Sequence, residues 1–117
     1  MKLFVSWSMA NIIPARSNLK SVVFISQKPR NKKGLARVKV NDSSQSSFDD
    51  EHNFEVLFSA NTKPHLGKKA APRMPAKDLQ KVFDWVELNK ALLLEYWDKK
   101  NDDTVDIVNR LIPVEED

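Results

Sequence analysis

Residues 78–100, "DLQKVFDWVELNKALLLEYWDKK", have a helical period and more apolar surface than one core-facing stripe needs. Wound at about 100° per residue, Leu79, Val82, Phe83, Val86, Leu93, Leu94 and Trp97 fall on one arc, the expected core stripe. Trp85, Leu88 and Leu92 fall on a second arc beside it, with Asn89 and Tyr96 between the two. Lys77, Gln80, Asp84, Glu87, Ala91, Glu95 and Asp98 leave only a narrow polar side. A small sheet covers one side of such a helix and no more. The second arc is therefore expected either under a C-terminal helix or at an apolar interface with a second copy or another protein. The short connection that follows favours the first.

Downstream, "NDDTVDIVNRLIP" (101–113) restarts a short helix. Asp102 or Asp103 is its expected cap, Val105, Val108, Leu111 and Ile112 its apolar side, and Pro113 its stop. The acidic end, "VEED", is expected to fray. Upstream, "NTKPHLGKKAAPRMP" (61–75) is basic, holds three prolines and is expected to cross as a loop. Pro75 and Asp78 suit a helix start.

The N-terminal half has strand patterning. "NLKSVVFISQ" has a β-branched centre, and "LARVKVN" sets Ala36, Val38 and Val40 against Leu35, Arg37 and Lys39. Between them "KPRNKKG" holds turn formers, so residues 19–41 predict a β-hairpin with a basic tip. "FEVLFSA" predicts a third strand, central because Leu57 and Phe58 are both apolar. "DSSQSSFDDEHN" has no period and is expected to be a loop. Leu3, Val5 and Trp7 alternate like a strand if residues 1–8 belong to the folded chain; Met9 is an alternative start. Ser6, Ser8 and Asn11 interrupt the apolar run that an export signal requires.

At 117 residues the chain predicts a single domain, 1–117, with no cysteine for a disulfide or thiolate site. Its parts are a β-rich 19–60, a basic Pro-rich loop 61–75 and a helical 76–112. The net charge of +3 conceals a partition. Residues 1–40 carry nine Lys or Arg and no acid, whereas residues 78–117 carry eleven acids against five bases. Such blocks steer encounter with a charged partner. No run is long enough to span a membrane, and a cytoplasmic location is expected.

The segment "MPAKDLQKVFDWVELNKALLLEYWDKKNDDTVDIVNRLIPV" (74–114) resembles the C-terminal half of a family of small bacterial proteins, domain-of-unknown-function family 4160. The resemblance is borne by Trp85, Asn89, the leucine pair Leu93 and Leu94, and Trp97, over about a third of the chain. It implies a small sheet followed by this helix, and gene neighbourhoods of toxin–antitoxin type. The His- and Pro-rich stretch of that family is absent here, replaced by the Ser-rich acidic residues 42–53, so no function of those histidines carries over.

Candidate chemistry is sparse. Lys28, Arg30, Lys32, Lys33, Arg37 and Lys39 gather on one hairpin, suited to phosphates or to an acidic protein surface. The tip has no interleaved aromatic ring and no Asn/Gln pair to read bases. "TKPHLGKK" lacks the spacing of a phosphate-binding loop. "DDEH" (49–52) has no second cluster to complete a metal site. His52 and His65 are the only imidazoles, and His65 with Lys68, Lys69 or Arg73 would make at most a small nuclease.

The reading is an α+β fold: a small antiparallel sheet of three or four strands packed on one long helix, with a short C-terminal helix. The expected function is non-enzymatic recognition of another protein, an acidic one among the candidates, by the basic hairpin and the apolar residues Trp85, Leu88 and Leu92. Nucleic-acid binding is the alternative. No catalytic residue, metal or cofactor is expected, and the chain is a monomer or a homodimer.

Overall fold

The computed structural model describes residues 9–29, 34–42, 52–67, 72–101 and 103–115. Five strands, β1 (Met9–Ile12), β2 (Val23–Ser26), β3 (Ala36–Asn41), β4 (Asn53–Ser59) and β5 (Thr62–Leu66), form one antiparallel sheet in sequential order. The helices are α1 (Pro14–Ser17), α2 (Ala76–Leu88), α3 (Lys90–Trp97) and α4 (Thr104–Arg110). The α+β class holds; the strand count and the single long helix do not. The strand expected through Leu3, Val5 and Trp7, the Ser-rich loop at 43–51 and the Asp102 cap lie outside the described residues.

The expected hairpin forms, with Val23 opposite Val40 and Phe24 opposite Lys39. Gly34 takes a positive φ of 99° in its connection, a conformation that favours glycine. β3 and β4 pair over six residues, from Ala36 opposite Phe58 to Asn41 opposite Asn53. Strand alternation puts Val23, Ile25, Ala36, Val38, Val40, Phe54, Val56 and Phe58 in one core with Val82, Trp85, Val86, Leu93, Tyr96, Trp97 and Ile107. Leu57 points the other way and is half-buried, so β4 is enclosed on one side, not two.

β5 is the main correction to the sheet. Pro64 argues for a loop, yet β5 is an edge strand, where a missing N–H costs no ladder bond. Ala60 and Asn61 turn the chain from β4 into it. Two further groups blunt this edge: the Lys90 ammonium donates to the Thr62 carbonyl at 3.2 Å, and His65 Nδ1 lies 2.9 Å from the Lys63 carbonyl. β1, the opposite edge, falls between the segments expected as strands, and is recognisable only by Ala10 and Ile12 turning inward.

The long helix breaks at Asn89, whose φ of −104° and ψ of 10° leave the helical range. Its buried side chain is fully used: Nδ2 donates to the carbonyls of Trp85 and Ile112, each at 2.9 Å, and Oδ1 accepts the Ile112 N–H at 2.8 Å. A side chain that bonds the backbone competes with the helix, and here it wins because Ile112 completes the bonding. The break separates α2 from α3 where one continuous helix was expected. Val82, Val86, Leu93 and Trp97 of the first arc are buried, while Leu79, Phe83 and Leu94 are partly so.

α3 ends in a Schellman turn, with Lys99 N–H donating to the Tyr96 carbonyl (3.1 Å) and Lys100 N–H to that of Glu95 (2.9 Å). Lys99 occupies the left-handed position at φ 61°. Asp103 caps α4, accepting the Asp106 N–H at 3.1 Å. The apolar side of α4 is not the expected one. Ile107 is fully buried and Val108 and Leu111 pack on the core, but Val105 is 68% exposed and Ile112 is exposed as well. The acidic end does not fray at Val114, whose N–H donates to the Ser17 carbonyl (3.0 Å) and whose carbonyl accepts Asn18 Nδ2 (2.8 Å).

Asn89→Ala removes three bonds and leaves the part-buried main-chain groups of Ile112 without their side-chain partner, which should cost about 2–4 kcal/mol. A denaturant midpoint within error of wild type would refute this role. Asp106 accepts Asn101 Nδ2 at 2.8 Å and Arg110 Nη1 at 3.2 Å, and these bonds hold its carboxyl below the ordinary 3.8. A lowered folded-state value stabilises above the unfolded one and is lost as pH falls through the folded one. Asp106→Asn should therefore flatten the loss of stability below about pH 4, seen in thermal melts across that range.

Candidate functional site

Of the six hairpin bases, the three among the described residues, Lys28, Arg37 and Lys39, part company. Arg37 and Lys39 stand on the sheet face turned away from the core. Arg37 Nη1 lies 3.4 Å from Glu55 Oε2, and both side chains are largely covered, at 16% and 14% exposure. Lys39 is half-buried directly opposite Glu55. Arg37 is thus spent on an internal ion pair and does not join the hairpin tip as a free cation. Its Nε is buried with no acceptor among the described residues. Arg30, Lys32 and Lys33 lie outside the described residues.

Lys28 is exposed at the end of β2, and its N–H donates to the Trp97 carbonyl at 3.0 Å. That bond fastens the hairpin base to the C-terminus of α3. Lys28, Pro29, Trp97, Asp98 and Lys99 line a shallow cavity of about 290 Å³ there. Lys99 lines this cavity with Lys28, and Lys100, exposed as well, follows it in the chain. In sequence they read only as favourable charges for a helix terminus. Their nearness to the hairpin arises from a contact across 69 residues, which no local pattern encodes.

A larger groove, about 600 Å³, runs between β5 and α2, with Phe83, Lys63, Gln80, Asp84, Glu87 and Lys90 among its lining. Four of its polar side chains are engaged in pairs: Lys90 with Glu87 at 3.2 Å, and Gln80, which donates to Asp84 at 3.0 Å. Of the nuclease constellation, His65 and Arg73 are among the described residues. His65 engages the Lys63 carbonyl, and Arg73 is drawn to Asp42, with N–H to Oδ1 at 2.6 Å and Nε to Oδ2 at 3.6 Å. Lys68 and Lys69 lie outside the described residues, as do Asp49, Asp50 and Glu51 of "DDEH"; His52 is exposed. Among the described residues no group of three His, Asp or Glu side chains is placed to hold a metal.

The second apolar arc is divided. Trp85 is fully enclosed (0% exposed), Leu92 is partly buried against the core, and Leu88 is 50% exposed. Trp85 belongs to the core with Val82 and Val86 of the same helix. Its Nε1 has no acceptor among the described residues, a desolvation cost carried by the core. Tyr96, between the two arcs, is also buried; burial raises its phenol above the ordinary 10.0, while its bond to Thr104 Oγ1 (2.8 Å) opposes that rise.

No family model, curated protein or solved structure matches this chain. No helix among the described residues is long and apolar enough to cross a membrane.

The divided arc separates two substitutions. Leu88→Glu should leave the fold intact, within roughly 0.5 kcal/mol of wild type. Trp85→Glu should unfold the chain by placing a charge in the core. Circular dichroism with urea titration reads both. An unfolded Leu88→Glu protein would contradict the exposure of that side chain.

Proposed function

We propose that this chain is a non-enzymatic recognition protein that binds an acidic surface of another protein through the basic end around Lys28, Lys99 and Lys100. The observation that carries this reading is the Lys28–Trp97 main-chain bond, which joins two basic segments distant in sequence into one exposed surface. Lysine ammonium groups act there as mobile point charges, suited to carboxylates without fixed bidentate geometry. Residues 30–33 add Arg30, Lys32 and Lys33 to the same hairpin in sequence.

A specific feature favours protein over nucleic acid. Trp97, the ring nearest this surface, is buried, and the exposed large apolar side chains among the described residues include no aromatic. Single-stranded nucleic acid is ordinarily held by bases stacked on exposed rings. A bacterial toxin–antitoxin or mobile-element setting, in the cytoplasm, belongs to this proposal through the resemblance of residues 74–114 alone.

The test is fluorescence anisotropy with a labelled polyglutamate peptide and, in parallel, a labelled single-stranded oligonucleotide, each across a salt series. The peptide should bind at low salt and weaken as salt rises. The triple substitution Lys28→Glu, Lys99→Glu, Lys100→Glu should reduce its affinity at least about tenfold, or ~1.4 kcal/mol. Tighter binding of the oligonucleotide, lost in the same variant, would replace the protein partner with nucleic acid. No binding of either probe at low salt would remove the basic end as a recognition surface.

A further inference from the structure

The groove of about 600 Å³ between β5 and α2 holds more hydrogen-bonding capacity than its own side chains use. Lys90 is the clearest case. Its side chain is only 14% exposed, and its ammonium meets two acceptors, the Thr62 carbonyl and Glu87 Oε1, each at 3.2 Å. An ammonium carries three donors, so one has no acceptor among the described residues. The bond to Thr62 also places that ammonium at the turn from β4 into β5, where Asn61 and Lys63 flank Thr62. Both are exposed and line the same groove, and neither side chain bonds another described residue. Two ammonium groups and a carboxamide thus gather at one end.

The opposite wall is acidic. Asp84 Oδ1 accepts from Gln80 at 3.0 Å, which leaves Oδ2 unused among the described residues. From Gln80 to Glu87 this wall runs seven residues along α2, about 10 Å, the length of about three residues of extended chain. Between the walls lies Phe83, packed on the core and partly exposed. The β5 edge offers little main chain to a ligand, since Pro64 has no N–H and the carbonyls of Thr62 and Lys63 are engaged. Recognition therefore falls to side chains rather than to an added strand.

We propose that this groove binds the free C-terminus of a peptide chain. The α-carboxylate lies at Lys63, Lys90 and Asn61, the last side chain is apolar and covers Phe83, and a preceding N–H is turned to Asp84 Oδ2. Charge selects this occupant. Lys63 and Lys90 are balanced by Asp84 and Glu87, so a polyanion meets the acidic wall and a polycation the basic end. A single carboxylate followed by neutral amides matches both. Capture of a terminal carboxylate is a recurring mode of peptide recognition, and charge-assisted bonds distinguish the terminus from an internal stretch. None of these residues belongs to the basic end around Lys28, Lys99 and Lys100.

The test is an NMR titration of the isotope-labelled protein with N-acetyl-Gly-Leu, whose carboxylate is free, and with its C-terminal amide. Saturating shifts are expected at Asn61, Lys63, Gln80 and Phe83, with a dissociation constant on the order of 1 mM for so small a probe. The amide should bind at least about tenfold more weakly. Lys90→Met, which keeps the aliphatic stem, should weaken the acid to the level of the amide, and Asn61→Ala combined with Lys63→Ala should weaken it several-fold. Equal binding of acid and amide, or no saturating shift with either, would overturn the proposal. Shifts confined to Lys28, Lys99 and Lys100 would assign the carboxylate to the basic end and overturn it as well. Should Lys90→Met lose its ellipticity, the double substitution at the two exposed positions decides, and unchanged affinity for the acid there overturns the site.

Discussion

One side-chain amide organises the helical half of this molecule. Asn89 separates α2 from α3 and holds the backbone of Ile112 in both directions. Trp85 and Trp97, on either side of it, both enter the core. The amide is buried and fully bonded, the condition under which an internal polar group specifies structure without leaving a desolvation deficit. Leu88, the residue immediately before it, remains in solvent.

The sheet manages its two edges differently. β5 is blunted by proline and by side chains that occupy its carbonyls, while β1 is backed by α4. Charge is handled with similar economy on the sheet face turned from the core, where Glu55 absorbs Arg37 and sits opposite Lys39. What remains for the proposed acidic partner is the end of the molecule where β2 meets the last turn of α3. Lys28 and Lys99 are exposed there, and Asp98 is the one carboxylate residue in the cavity's lining.

Much of this architecture was legible in the sequence. The alternation in "LARVKVN" and "FEVLFSA" located β3 and β4 closely, and Asp103 was one of two capping candidates for α4. Local periodicity failed where a distant partner decided the outcome. Asn89 looked like a residue between two stripes because its partner, Ile112, is 23 positions away. β5 was hidden by a proline that is harmless only at an edge, and edge position is a property of the finished sheet. The basic hairpin was visible, but the diversion of Arg37 to Glu55 and the recruitment of Lys99 and Lys100 are both tertiary events.

The sheet is a plain meander in which each strand pairs with its neighbour in the chain, whereas the bonds between Val114 and the Ser17–Asn18 pair join nearly opposite ends of the sequence. Loop closure over so many residues is rewarded only after the intervening structure exists. The strands can therefore zip in order before the terminal segment is seated, and that segment's contacts belong to the native side of the folding barrier. Weakening them is expected to accelerate unfolding more than it slows folding. Asn89 and Val114 are then the positions expected to govern the lifetime of the native chain, and the strands its speed of formation.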